Sequence, residues 1–247
     1  MPLKETEAIV LRSFPLGEAD RLVSFLGRTT GRLRGVARGA RRTKSRFGST
    51  LETLSHIRIW FYERETRELV RINQCELLES FLETQRDYEA GLALALVSEI
   101  TEAVLPEREA SDAMFRLVLL TAHSIAERKS GDFPLAYFSL WTVRLGGWLP
   151  GLERCMMCGR EVKGEAVYLR VDRPGLRCAN CKKPGWRALS AKALELALTM
   201  LRVKLEALDE QEWPKRAARE LNQYFMDVIE RQVERKLTTR QLRDEAE

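Results

Sequence analysis

Through about residue 80 the apolar positions come in short runs broken by glycine, proline and charged turns. Residues 5–12 read as a first strand, and Pro15 and Gly17 mark the turn after it. Residues 20–28 form a second, with Leu22, Val23, Phe25 and Leu26 as its apolar positions. Gly31 opens a third over residues 32–38, where Leu33, Val36 and Ala37 fall near the core and the arginines fall outside. After a loop from Gly39 to Ser49, residues 56–62 alternate cleanly. Ile57, Ile59 and Phe61 share one face, and Arg58, Trp60 and Tyr62 share the other. A fifth strand follows over residues 69–75. Five short strands with no long helix between them predict a small closed barrel such as an OB-fold.

From about Phe81 the period lengthens. Leu92, Leu96, Ile100 and Val104 recur every fourth residue, which predicts an amphipathic helix ended by Pro106. Ser111 caps a second helix running to Arg128, and Asp132 caps a third that stops at Gly146-Gly147. A cysteine-bearing segment interrupts at roughly 150–187. Ser190 then caps a further helix, Pro214 begins a last one, and the charged tail after Lys236 is expected to fray. The fold class is therefore α+β and multidomain. A barrel over 1–80 precedes a helical domain over 81–149 and 188–240, into which 150–187 is inserted.

The insertion carries the most specific chemistry. Cys155-x-x-Cys158 and Cys178-x-x-Cys181 are separated by nineteen residues, the spacing of a four-thiolate zinc site. Four protein ligands fill a tetrahedral sphere and leave no open position, so the site is read as structural. Two redox pairs or two disulfides are the alternative, but redox pairs sit singly at strand-to-helix junctions, a pattern absent here. The fifth cysteine, Cys75, reads as a reduced thiol in a core.

Charge changes the picture of the barrel. Residues 1–80 hold 15 Lys and Arg against 10 Asp and Glu, while the remainder holds 26 against 26, so the net +5 lies entirely in the N-terminal third. Between Arg21 and Leu51 there is no acidic residue. Arg32, Arg34, Arg38, Arg41, Arg42, Lys44 and Arg46 offer donors suited to phosphate oxygens, which points to nucleic acid. Trp60 and Tyr62 either stack on bases or cover the barrel against the helical part. With 45% hydrophobic residues the chain can bury a core. No apolar run reaches membrane-spanning length and the N-terminus lacks a signal-peptide core, so a cytoplasmic, nucleoid-associated protein is expected.

Catalysis finds no support in the residues. His56 and His123 are the only histidines and neither sits in a ligand or nucleophile motif; His123 reads as a satisfied core histidine. No Gly-x-x-x-x-Gly-Lys-Ser/Thr loop is present, nor a His-x-Glu deaminase signature. A zinc-dependent enzyme acting on nucleic acid and a zinc-ribbon transcription accessory factor stand as alternatives to a DNA-binding protein without turnover.

Three stretches together resemble the RecO family of bacterial recombination mediators. They are Leu16-Gly17-Glu18-Ala19-Asp20, the basic run from Gly31 to Ser45, and Leu145-Gly146-Gly147-Trp148-Leu149-Pro150 before the first cysteine pair. Pro174-Gly175-Leu176-Arg177-Cys178 extends the likeness to the second pair, so that it covers nearly the whole chain; Leu51-Glu52-Thr53-Leu54 lacks the proline expected before the fourth strand. The resemblance implies an OB-fold, a helical domain and an inserted zinc finger holding one structural Zn2+ per chain. It further implies binding of single- and double-stranded DNA, annealing of complementary strands, and help in loading RecA. The implied partners are RecR and the single-stranded DNA-binding protein, with RecA engaged indirectly. The acidic, apolar-ended tail of that binding protein needs an apolar pocket rimmed by cations. Arg116, Arg128, Lys129, Arg144, Lys192, Arg202 and Lys204 lie beside apolar helix stripes and place it on the helical body.

Overall fold

The computed structural model describes residues 2–64, 66–173 and 175–244. The short apolar runs become five strands: β1 (Leu3–Leu16), β2 (Asp20–Gly27), β3 (Gly31–Ala37), β4 (His56–Tyr62) and β5 (Val70–Glu79). They close in the order β1-β2-β3-β5-β4, with β4 returning to β1. Only β3 and β5 pair in parallel; the other pairings are antiparallel. This is the five-stranded barrel of the OB-fold.

The barrel follows from alternation plus one glycine. Ile57, Ile59 and Phe61 enter the core beside Phe25, Leu33 and Ile72, while Arg58, Trp60 and Tyr62 stay outside. At the parallel seam, a Cβ on Gly35 would lie 2.7 Å from Val70 and 2.9 Å from Ile72, so only glycine lets β3 and β5 close. Strand β1 is longer than the sequence predicts and runs through Pro15. Beyond Ile9 it pairs with β2 alone, and its open edge accommodates a residue without an N–H. Strand β5 also outruns its alternation, carried to Glu79 by backbone pairing with β4.

The chain divides into two compact units, Met1–Lys129 with Leu237–Glu247, and Ser130–Lys236. The first holds the barrel with α1 (Tyr88–Val104), α2 (Asp112–Arg128) and α6 (Thr238–Asp244). Helix α1 packs on β1, where Ser98 Oγ donates to the Leu11 carbonyl at 2.6 Å. This explains why Ala8, Ile9, Val10 and Leu11 are all buried: one face of β1 lines the barrel and the other is covered. The second unit holds α3 (Asp132–Leu145), a small sheet of β6 (Val167–Leu169), β7 (Leu176–Arg177) and β8 (Arg187–Leu189), α4 (Ala191–Met200) and α5 (Lys215–Gln232). Helix α3 is buried on nearly every side and packs against α5.

Ser111 and Ser190 cap α2 and α4 as their positions predict, accepting from Met114 N at 3.3 Å and Ala193 N at 3.2 Å. Asp132 does not cap α3. It is the first helical residue, and its carboxylate accepts from Arg219 Nε at 3.2–3.3 Å on α5. His123 is half-exposed rather than a core residue, and its Nε2 lies 2.7 Å from Glu79.

From Thr238 to Asp244 the tail is helical rather than frayed; residues 245–247 lie outside the described residues. Thr238 N and Thr239 N donate to the two carboxylate oxygens of buried Glu99 at 3.0 and 2.9 Å, which fixes the start of α6 against α1. Burial alone would raise the Glu99 carboxyl, but the hydrogen bonds from Thr239 and Thr238 and the charge of Arg12 hold it below its ordinary value. A depressed carboxyl stabilises the fold above its unfolded-state value and loses that contribution as pH falls through the folded one. Glu99→Ala is expected to cost about 3 kcal/mol, the scale of two charge-assisted hydrogen bonds. Amide exchange then shows residues 237–244 opening well before the barrel. Unchanged protection there would mean that Glu99 does not hold the helix.

Candidate nucleic-acid interface and metal centre

The acid-free basic stretch divides in two once folded. Arg32 and Arg34, on β3, are half-buried and turn to Glu107, at 3.5 and 2.8 Å; Arg32 Nε also donates to the Leu105 carbonyl at 2.9 Å. Their charge is largely matched within the protein. Arg38, Arg41, Arg42, Lys44 and Arg46 lie on the loop after β3, all exposed and without an ion pair among the described residues. The loop is held at defined points. Gly39 N donates to Asp20 Oδ1 at 2.8 Å, Arg41 Nη1 to the Gly17 carbonyl at 2.7 Å, and Phe47, Leu51 and Leu54 are buried. Arg46 lies over the Phe47 ring, 5.0 Å from its centroid. The result is a flexible-looking sequence pinned to the barrel with its cations outward.

The outer face of β4 also divides. Trp60 Nε1 donates to Glu5 at 2.9 Å, and Arg58 lies between Glu5 and Glu76 at 3.5 and 3.6 Å. Tyr62, at the end of the same strand, instead joins Arg38, Arg64, Arg67, Leu69 and Arg71 around a cavity of about 430 Å3. Arg64, Arg67 and Arg71 escaped the sequence reading because Glu63, Glu65 and Glu68 alternate with them and the run looks neutral. In the fold Glu63 is drawn to Lys4 and Arg108, and Glu68 approaches Arg34 at 3.9 Å. The described residues around the cavity include four arginines and a tyrosine, a set that suits a phosphate and a stacked ring. Charge alternation along the hairpin was the only signal, and it pointed the wrong way.

The four cysteines come together in the second unit. The sulfurs of Cys155, Cys158, Cys178 and Cys181 all lie within 4.8 Å of one another, and Cys158 Sγ is 4.0 Å from Cys178 Sγ. A tetrahedron of zinc–thiolate bonds has edges of about 3.8 Å, so the four sulfurs, none of them in a disulfide, are spaced to hold a metal ion. Each pair turns as a knuckle: Gly159 N donates to the Cys155 carbonyl at 2.9 Å and Cys181 N to the Cys178 carbonyl at 3.0 Å. Gly159 takes a positive φ of 73°, a conformation that glycine adopts at no steric cost.

The electrostatics favour the thiolate at Cys155 and Cys178 but not at Cys181. Burial opposes ionisation of Cys155, but backbone N–H groups of Cys158, Cys178 and Met157 outweigh it and lower its pKa. The Arg160 guanidinium lowers Cys178, and hydrogen bonds to Cys178 and Cys158 push Cys181 up. Four soft sulfur donors in a closed cage select a soft or borderline metal ion over a hard, oxygen-seeking one. Cys75 is separate, buried in the barrel and pushed up to about 12 by desolvation, an inert structural thiol.

The seven cations assigned to a partner surface do not share one unit. Arg116, Arg128 and Lys129 belong to the first, and Arg144, Lys192, Arg202 and Lys204 to the second. Several have partners: Arg116 pairs with Asp112 at 3.0 Å, Lys192 with Glu195 at 2.9 Å, and Arg144 lies over Trp141. No helix among the described residues is long and apolar enough to cross a membrane.

Comparison with known proteins finds one family over both halves of the chain. Residues 1–81 match the family described as Recombination protein O N terminal, and residues 85–241 match Recombination protein O C terminal. A DNA repair protein RecO of Koribacter versatilis is 40% identical over 238 residues, 96% of each chain. Others from Syntrophobacter fumaroxidans (36% over 203 residues, 81% of this chain and 78% of that one) and Bifidobacterium adolescentis (32% over 217 residues, 86% and 84%) bear the same name. With an OB-type barrel, a four-cysteine centre and matches over both halves, the chain belongs to the RecO family and has its role in DNA repair and recombination.

Proposed function

We propose that this protein is a recombination mediator without catalytic turnover. It binds single- and double-stranded DNA through the barrel, anneals complementary strands, and helps load RecA onto strands coated by single-stranded DNA-binding protein. The observation that carries the reading is the loop bearing Arg38, Arg41, Arg42, Lys44 and Arg46, exposed and without carboxylate partners among the described residues. Two complementary strands repel through their phosphates, and a surface that neutralises one strand lowers the barrier to its partner's approach. Phosphate contacts carry no base information, so such a surface serves any sequence. Arg32 and Arg34, tied to Glu107, orient the strand from which the loop springs and contribute less to binding.

One structural zinc per chain fits the four thiolates. It would be held by Cys155, Cys158, Cys178 and Cys181, and it supplies folding free energy to the inserted segment rather than chemistry. RecR and the single-stranded DNA-binding protein are the partners that the family suggests. For the acidic tail of the latter, support comes from a cavity of about 500 Å3 in the second unit. Val162, Leu194, Leu198 and Val203 line it and Lys163 and Arg202 stand among them, as an apolar end with carboxylates requires. Arg202 is the one cation of this cavity that the sequence reading named.

The test is annealing of complementary strands by the purified protein, with and without cognate single-stranded DNA-binding protein. Acceleration over the spontaneous rate is expected in both cases, without nucleotide hydrolysis. Tight DNA binding with no annealing, together with binding to RNA polymerase, would favour the transcription-factor reading instead.

A further inference from the structure

The zinc-bearing segment holds a second acid-free cationic stretch. Residues 173–194 contain six Lys and Arg and no Asp or Glu. Folding puts Arg177 and Arg187 on opposite faces of the small sheet and Lys192 on α4. Strand β6 pairs Leu169 with Leu176 and Arg187, and Val167 with Leu189. That face of the sheet turns inward: the four apolar residues are buried, and Arg187 pairs with Asp227 of α5 at 2.9 Å. The other face carries Tyr168, Arg177 and Ala188, aligned across the three strands.

On this outer face cations and rings alternate. Arg177 lies over Trp186, 4.2 Å from the ring centroid, and its Nη1 donates to the Cys181 carbonyl at 3.4 Å. Lys182 lies over Tyr168 at 5.0 Å and its Nζ reaches the phenolic oxygen at 3.4 Å. Lys183 is exposed beside it. Arg177, Lys182 and Lys183 carry no ion pair among the described residues, whereas the neighbouring Arg160, Arg170 and Lys192 each hold a carboxylate. Glu165, Asp172 and Glu195 are thus engaged by other arginines and lysines.

We propose that this face of the small sheet is a second nucleic-acid site, taking single-stranded DNA with phosphates at Lys182, Lys183 and Arg177 and bases against Tyr168, Trp186 and the Arg177 guanidinium. Charge alone would suit a duplex equally. The aromatic pair decides for a single strand, because only unpaired bases expose the faces that stack on rings and guanidinium planes. The rings also hold the cations in place beforehand, so less side-chain freedom is lost on pairing with phosphate. Two independent sites on one chain are what a protein needs to hold a strand while its complement searches. The inference rests on the proposed DNA-binding role only in taking the polyanion to be DNA.

The test is equilibrium binding by the full chain of an oligodeoxythymidylate and of a duplex, with Lys182→Gln/Lys183→Gln beside the wild type. Both lysines are exposed, and unchanged zinc content shows that the fold is kept. Single-strand affinity should fall about 5- to 10-fold at low salt, and the slope of log affinity against log salt should become shallower by about 1.4, two contacts at 0.7 each. Duplex binding should be unchanged, and photocrosslinking of an iodouracil-substituted strand should reach Tyr168 or Trp186. Wild-type single-strand affinity and slope in the double variant would overturn the proposal, as would a loss confined to the duplex. A barrel variant that binds like wild type, by contrast, would sink the barrel assignment and leave this one standing.

Discussion

Replacing Arg38, Arg41 and Arg42 together with alanine should weaken single-strand binding about 100-fold at low salt, on the order of 1 kcal/mol for each lost phosphate contact. With about six contacts the wild-type slope of log affinity against log salt is roughly −4, and loss of three brings it near −2. All sequences should weaken alike, because the contacts lie on phosphates. The same triple variant should keep the barrel fold, since all three side chains are exposed and without ion pairs among the described residues, although it gives up the Arg41 hydrogen bond to the Gly17 carbonyl. Arg32→Ala or Arg34→Ala should behave differently. Each leaves Glu107 with less of its partner charge, so stability falls while the salt slope changes little. Wild-type affinity and slope in the triple variant would move the DNA site off this loop.

Loss of the metal should have the second large effect, on structure before binding. The protein as purified should hold one zinc per chain, and Cys178→Ser or a strong chelator should open the segment from about 150 to 187 to proteolysis. The sheet in this segment has strands of two or three residues, too short to persist alone. The cysteine cage clamps its two knuckles together, beside backbone ties such as Met156 N donating to the Leu176 carbonyl at 2.9 Å. DNA affinity should fall somewhat further than in the Lys182→Gln/Lys183→Gln variant, since Arg177 and the two rings are lost as well, but not vanish, because the barrel has its own core and its own cations. Metal analysis without zinc, combined with four freely reactive thiols in the native protein, would refute the structural site.

Much of this was legible in the order of residues. Period-two alternation in β4 and the two serine caps rest on local chemistry, which neighbouring residues determine among themselves. The Cys-x-x-Cys pairs were equally legible, because a knuckle is a short-range turn and its spacing alone sets which sulfurs meet. Asp132 shows the limit even of local signals, since a carboxylate at a helix start serves as cap or ion-pair partner according to what stands opposite.

The tertiary structure decided the matters that depend on distant partners. Glu107 lies far along the chain from Arg32 and Arg34, yet it separates two matched arginines from five exposed cations in one basic run. Glu99 turned a charged tail into a docked helix, because a buried carboxylate gains most where backbone donors would otherwise go unmet. The period of the helices could not tell that α1 and α2 belong with the barrel and α3 to α5 with the zinc segment. Amphipathic stripes show that a face is covered, not what covers it. Net charge along residues 173–194 was visible from the start, but only strand register put Arg177 on the outer face and Arg187 on the inner one. In each case the sequence determined which groups were available, and packing determined which of them were left to act.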